Sequence, residues 1–444
     1  MAPVEGRSPR QEHRGPSRRF VVVLLAIGFL ALCGRTVYVI AVTRHEPVPG
    51  LTSSSGARRS FDEIYYVNGA NAIVDGDGFF FSELPGNSES LRSEQAEHPP
   101  FTNLAFAAAA WVGDRSELAM RLEVAFVGAL VVLLLGLLAR ELVDETTGLV
   151  AAGLGALYPF LWVSDGLLLS ETFAVFWTTA AMYGTYRMLE RPTWPMAALT
   201  GAAVGLAMLT RAELMLLVLL LFLPAALALR SRGERRWLWV PLVAAVVAVA
   251  LAVPWVGYNL SRFERPVTLS YAFGGVLAGS NCDDTYAGSR LGYWNGYCAR
   301  VETTGDASIA AAEKQERGLR YMRGHLDRLP IVVAARVGRT WGLYAPFQMA
   351  RFAEAEGRPL WASLWGWVMS LALIPLGIVG AIGLRRLGAP LWPLVAPLVV
   401  VLLTGAAFGG LVRHRAVGEP SLVVLGAVAV VVLTRHALPH SSRV

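Results

Sequence analysis

The sequence predicts an all-α, polytopic membrane protein, and three observations carry that prediction. Of its 444 residues, 55% are hydrophobic and 16% charged, whereas soluble chains carry charge on about a quarter of their residues. The mean hydropathy is +0.48. Several apolar runs are long enough to cross a hydrocarbon core of about 30 Å as helices. Basic residues are almost all arginine, with Lys314 the only lysine. Codon bias explains this more simply than a nucleic-acid partner, so no nucleic acid is expected despite a pI near 9.4.

Residues 1–19 are rich in Arg, Pro and Ser without apolar periodicity and predict a disordered cytoplasmic tail. The run 20–42 follows Arg14, Arg18 and Arg19. It is too long for a signal-peptide core and no small-x-small cleavage site follows, so it reads as a retained anchor. Further spans are predicted at 117–140, 148–163, 171–189, 195–209, 212–230, 237–258, 361–384, 389–411 and 419–435. Counted from a cytoplasmic start, Arg187 and Arg191, the arginines at 230, 232, 235 and 236, Arg385 and Arg386, and Arg435 all fall inside. The positive-inside rule thus supports one topology at four points. The expectation is about ten transmembrane helices, in a membrane domain over 20–435 with 436–444 as a second cytoplasmic tail.

Two outer loops are long, 43–116 and 259–360. In the first, Ser60 and Glu63 fit a capping box that opens a helix with Asp62, Tyr66, Gly69 and Ile73 on one face. His98-Pro99-Pro100 starts a second, apolar helix through Trp111, with proline in the first turn. Both predict helices along the membrane surface. In the second loop, 307–327 reads as a helix, and 331–349 as an interfacial or weakly hydrophobic span. Cys282 and Cys298 share this loop outside the membrane, where thiols oxidise, and predict a disulfide; two unpaired thiols are the alternative. Cys33 reads as a small apolar residue of the first span. No Cys/His cluster has metal-ligand spacing, and Asp75-Gly76-Asp77-Gly78 has too few ligands for calcium and reads as a turn.

Five stretches in order carry a family resemblance: FDEIYY at 61–66, HPPF at 98–101, LLSET at 168–172, GLAMLTR at 205–211 and RHRAVGEP at 413–420. Together the chain resembles the GT-C integral-membrane glycosyltransferases, within them the group holding the protein O-mannosyltransferases and the lipid A aminoarabinose transferase. The arginine-heavy composition and the loop from Asn281 to Cys298 are similar to its actinobacterial branch. The resemblance implies a GT-C fold and inverting transfer of a sugar from a polyprenyl-phosphate donor to an acceptor hydroxyl. The acceptor would be a lipid, glycan or protein. It also implies a plasma-membrane enzyme with an extracytoplasmic active site and no metal or other cofactor.

Such a reaction needs a base for the acceptor proton and cations for the departing phosphate. By resemblance Asp62 is the base; on the residues alone it could merely complement a helix dipole. Glu63 supplies the cap, or meets substrate. Asp165 and Glu171 flank the outer ends of two spans, where ionisable groups are costly and usually have a task; Glu171 is the second catalytic candidate. Arg211 sits outside against the charge bias and can meet a phosphate, or pair with Glu213 or Glu171. Arg413, His414 and Arg415 offer three potential cations in three residues, with Glu419 near enough to pair with one. His98 and Tyr66 are candidate substrate contacts, the alternative being packing at a helix entry and an interfacial aromatic. The aromatic and acidic residues between Asp283 and Tyr297 suit either a carbohydrate-facing lid or a packed disulfide loop. The rival reading is a transporter or lipid flippase, though inverted repeats and broken midplane helices are not visible. A non-catalytic binding subunit is a third.

Overall fold

The computed structural model describes residues 15–41, 60–82, 92–301 and 305–437. The predicted disordered tail falls mostly, and the second tail almost wholly, outside those residues. The helices are α1 (Arg18–Ala41), α2 (Phe61–Asp75), α3 (Phe101–Val112), α4 (Glu117–Leu142), α5 (Glu145–Leu157), α6 (Glu171–Glu190) and α7 (Trp194–Thr210). There follow α8 (Leu216–Ser231), α9 (Trp239–Arg262), α10 (Ala272–Ser280), α11 (Asp283–Tyr286), α12 (Ala307–Gly324), α13 (Leu329–Thr340), α14 (Pro346–Ala355), α15 (Leu360–Arg386), α16 (Trp392–Phe408) and α17 (Glu419–Ala437). A two-stranded antiparallel ribbon, β1 (Phe80–Phe81) with β2 (Ser93–Glu94), braces the end of α2.

Each of the ten apolar runs holds a helix. Among the described residues, six helical segments are long and apolar enough to cross a membrane: Arg18–Ala41, Glu117–Leu142, Ala212–Ser231, Trp239–Arg262, Leu360–Arg386 and Val412–Arg435. α7 and α16 are apolar but have 17 residues each, and α5 has only 13. At 1.5 Å per residue α5 is about 20 Å long, short of a hydrocarbon core, and it ends in a 3₁₀ turn at Pro159–Leu161.

The bundle is a chain of neighbours: α1, α4 and α5 pack together, α4 on α6, α6 on α7, α7 on α9, and α15 on α17, which closes back onto α5. Small residues set these spacings, as expected where helices gain little from burying apolar surface. A methyl at Gly380 of α15 would lie 1.9 Å from the Leu425 carbonyl oxygen of α17.

The elements of the two long loops differ from their predicted roles in two places. The capping box forms as read, with Glu63 N–H donating to Ser60 Oγ and Ser60 N–H to Glu63 Oε2, both at 3.3 Å. Yet α2 is no surface helix: every residue from Glu63 to Ala70 is buried. A Cβ at Gly69 would meet Asn103 Nδ2 at 2.1 Å, so only glycine lets α3 approach. α3 itself exposes Leu104, Trp111 and Val112, as a lipid-facing helix would, and its prolines precede its first residue rather than occupying its first turn. The run 331–349 breaks into α13 and α14. Gly342 takes φ +69° and Ala345 φ +47°, and Pro346 disfavours helix at the residue before it.

Candidate functional site

Six segments meet at one end of the bundle: the first turn of α2, the residues before α3, the N-terminus of α6, the C-terminus of α7, the α14–α15 connection and the 3₁₀ turn Val412–Gly418. α6 begins at Glu171 because the preceding loop stops at the Ser170 N-cap. α7 ends where Arg211 turns extended, at φ −145° and ψ 122°. Each chain break thereby leaves a charged side chain at the same level.

Asp62 and Arg413 form the first contact, with Arg413 Nη2 donating to Asp62 Oδ2 at 2.6 Å. The other Asp62 oxygen lies 3.6 Å from His98 Nε2. Burial works against a charged Asp62, but the Arg413 guanidinium and the His98 ring outweigh it and hold the carboxyl well below its usual value. Burial likewise opposes protonation of His98, and the Asp62 carboxylate reverses the sign and raises its pKa. The His98 ring stacks on Tyr66 at 5.2 Å and meets Tyr65 edge-on at 5.1 Å. Tyr66 itself is 1% exposed, and its hydroxyl bonds to Ser170, next to Glu171. Burial and the nearby Asp62 charge push the Tyr66 hydroxyl pKa up.

Glu171 is the second centre. Its Oε1 lies 3.7 Å from Arg358 Nη2, 3.8 Å from Arg211 Nη1 and 3.9 Å from Arg413 Nε. None of these is a hydrogen bond: Glu171 Oε1, Arg358 Nη2 and Arg413 Nε are all buried without a partner. Three guanidinium groups therefore surround one carboxylate oxygen while keeping unused donors. Arg211 is also held by Glu213 at 2.7 Å, and Arg358 pairs with Glu356. A cleft with about 770 Å³ of empty space, counted to its open mouth, is bordered by Glu171, Arg358, Arg413, Tyr293 and Phe352. The Tyr293 and Phe352 rings stack 4.2 Å apart as one aromatic wall.

Other candidates are drawn elsewhere. Arg415 borders the cleft and is more tightly engaged: it pairs with Glu419, reaches Tyr158 Oη at 3.3 Å, and lies over the Phe160 and Trp341 rings at 5.2 Å each, while its Nη1 is buried without a partner. Only 2% of its side chain is exposed, and the pairing with Glu419 is one the sequence offered. His414, like Asp62, His98 and Arg211, does not border the cleft, and it lies beside Arg211, Arg413 and Glu213, where burial and the two guanidinium groups lower its pKa to about 3. Both Glu63 oxygens serve backbone N–H groups, Oε2 at the cap and Oε1 accepting from Leu168 at 3.0 Å, so Glu63 ties α2 to the loop before α6 rather than reaching the cleft. Asp165 binds Arg35 and accepts from Thr172 Oγ1 at 2.9 Å; burial pushes its carboxyl up to about 6. Cys282 and Cys298 are bonded to each other, and Cys33 is a free thiol exposed on α1. The carboxylates of Asp75 and Asp77 pair with Arg115 and Arg92. Among the described residues no three His, Cys, Asp or Glu side chains cluster in a way that could hold a metal.

Two arginines escaped the sequence reading, and both carried a signal. Arg358 sits beside Pro359 at the start of an apolar span, where an ionisable group is costly. Arg35 lies alone inside the apolar run of α1, where a charge is costly.

Residues 95–265, less than half of the chain, match the family model for dolichyl-phosphate-mannose-protein mannosyltransferase. The fold is similar to that of the Archaeoglobus fulgidus oligosaccharyltransferase solved with zinc and sulfate: 16% identity, TM-score 0.54, covering 94% of this chain and 49% of that one. It is also similar to the oligosaccharyltransferase AglB of A. fulgidus, solved with an inhibitory peptide and a dolichol-phosphate: 14% identity, TM-score 0.52, with 96% and 53% covered. The chain thus spans about half the length of these structures. ArnT from Cupriavidus metallidurans, bound to undecaprenyl phosphate, aligns at 17% identity and TM-score 0.41 over 93% of this chain and 77% of that one. No curated protein matches in sequence.

Proposed function

We propose that this chain, which has the GT-C fold and a mannosyltransferase-family match over residues 95–265, is an inverting glycosyltransferase using a polyprenyl-phosphate sugar donor. The single observation that supports this most is the Asp62–Arg413 contact at 2.6 Å, beside a Glu171 carboxylate ringed by three arginines. An acid and a cluster of donors with unused N–H groups are what the reaction requires, at adjoining positions.

In this reading the donor phosphate takes the place now held by Glu171 in the arginine cluster, gripped by Arg358, Arg413 and Arg211. Arginine suits it because its fixed fork meets two phosphate oxygens at once. The phosphate draws Arg413 away from Asp62, and the carboxylate becomes more basic as that cation leaves. The acceptor oxygen attacks the anomeric carbon from the face opposite the phosphate, and Asp62 takes its proton. The carbon–oxygen bond to phosphate breaks, and the bonding pair leaves on the phosphate, where the arginines stabilise it. The Tyr293–Phe352 wall offers the sugar ring a flat apolar face. His98 holds the free side of Asp62. The bundle domain is taken as 20–435, with both termini cytoplasmic, the loops 43–116 and 259–360 outside, and the site on the extracytoplasmic face of the plasma membrane, following the distribution of arginines.

The test is transfer by the purified full chain in lipid, given decaprenyl-phosphate carrying radiolabelled mannose or arabinose and a cell-envelope fraction as acceptor. Label bound covalently to a lipid, glycan or protein, and absent with Asp62→Asn, supports the reading. Movement of labelled lipid across a vesicle bilayer with no covalent product overturns it in favour of a transporter or flippase.

A further inference from the structure

A second cavity lies away from this site, on the flank of the bundle. It is a lateral groove with about 1210 Å³ of empty space, counted to its open side, between α1, α5 and the start of α15. Its floor is apolar and small: Ile27, Ala31, Gly34, Gly153 and Ala156. Its rim at one end is aromatic. Tyr38 meets Trp162 edge-on at 5.1 Å, and Trp162 lies 5.8 Å from Trp361. Rings with a polar edge gather at the headgroup level of a bilayer.

Arg35 borders the same groove, with 3% of its side chain exposed. Its Nη1 is fully used, donating to the Leu161 carbonyl at 2.9 Å and to Asp165. Its Nε and Nη2 are buried and donate to nothing. Buried N–H groups of a guanidinium are rarely left without an acceptor, because the lost hydration costs a few kcal/mol. The groove has the length to say what supplies one. Along α1, Ile27 to Tyr38 rises about 16 Å at 1.5 Å per residue, close to one leaflet of a core about 30 Å thick.

We propose that this groove is a binding site for one membrane phospholipid of the leaflet on the candidate site's side. One acyl chain lies along Ile27, Ala31, Gly34 and Gly153, and the phosphodiester accepts from Arg35 Nε and Nη2. Arg35 leads through Asp165 to Thr172, next to Glu171, so a lipid here also braces the N-terminus of α6. A single-leaflet groove suits a diacyl lipid better than a long polyprenyl chain.

The experiment uses the full chain in nanodiscs containing phosphatidylglycerol with a photoreactive acyl chain, or diacylglycerol with the same chains, and maps crosslinked peptides by mass spectrometry. Phosphatidylglycerol should label residues 27–38 and 153–162, and diacylglycerol about tenfold less, as for one charge-assisted contact. Gly34→Leu and Gly153→Leu should abolish the labelling. A Cβ at either position meets nothing within 4 Å, so the longer side chain fills the groove without displacing neighbours. Should one variant fail to fold, the paired Arg35→Gln, Asp165→Asn change reads the same point: the preference for phospholipid should disappear. Equal labelling by the two probes (annular lipid only), undiminished labelling in the glycine variants, or displacement by added decaprenyl phosphate would each overturn the proposal. None of these readouts depends on sugar transfer.

Discussion

Arg413 and Asp62, 351 positions apart in the chain, share a 2.6 Å hydrogen bond between Nη2 and Oδ2 at the mouth of the arginine cluster. The contact keeps Asp62 charged and weakly basic until something anionic competes for the arginine. An anion that competes for Arg413 leaves the Asp62 carboxylate more basic.

Asp62→Asn keeps the shape and loses the base. Transfer should fall by about 10²–10⁴-fold, the usual worth of a positioned general base, while donor binding holds or tightens because Arg413 is released, and the melting temperature drops as the Asp62 contacts are lost. Single-turnover assays with labelled donor, together with donor titration, measure both. Transfer at parental rate would remove Asp62 from the mechanism.

Arg358→Gln and Arg415→Leu should separate binding from folding. Arg358 has an unused N–H beside Glu171, and losing it should raise the donor KM about tenfold or more, the worth of a hydrogen bond to a charged group. Its melting temperature should fall less than that of Arg415→Leu, because the Glu356 partner is 27% exposed. Arg415→Leu strands Glu419, which is 1% exposed, and should cost about 3–5 kcal/mol of stability. The paired Arg415→Leu, Glu419→Leu change should recover most of that loss in a thermal melt.

The Asp62–His98 pair predicts a pH signature. The raised His98 pKa means its stabilising contribution is complete below the unfolded value of about 6.5 and is lost as pH rises through the folded value. The lowered Asp62 pKa has the opposite sense: its contribution is complete above about 3.9 and is lost as pH falls through the folded value. Thermal stability should therefore be highest at mildly acidic pH and decline above it. In Asp62→Asn the decline should flatten, and melting curves across that range decide it.

Reduction of the Cys282–Cys298 bond should loosen the wall of the cleft more than the bundle. The bond closes a loop with a sequence separation of 16, and Tyr293 of that loop stacks on Phe352. Cys282→Ser with Cys298→Ser should lower stability by up to about 3 kcal/mol. Proteolysis should shift into residues 281–298 while the helices stay protected. Unchanged cleavage there would mean that α12, packed on α10, holds the loop without the bond.

Much of this architecture could be read from residue order because its causes are local. Apolar run length specified where α1, α4, α8, α9, α15 and α17 lie, and the Ser60–Glu63 box announced the start of α2 to the residue. Arg211 and Arg413 were legible as charges at the ends of apolar runs, since an ionisable group there needs a reason to be there. Arg35 inside α1 and Arg358 beside the start of α15 carry the same signal.

The amino-acid sequence by itself determined the helices, the capping of α2, and which ionisable residues lie near the ends of spans, because period, run length and capping act over a few neighbouring positions. Only the tertiary structure decided which charges face one another: that Asp62 meets Arg413, that Glu171 gathers three arginines, and that of the two arginines beside His414 it is Arg415 that pairs with Glu419. Those pairings join segments up to 351 positions apart. In a low-dielectric bundle a shift of a few ångströms turns an open cation into a neutralised one, and no local pattern records that distance.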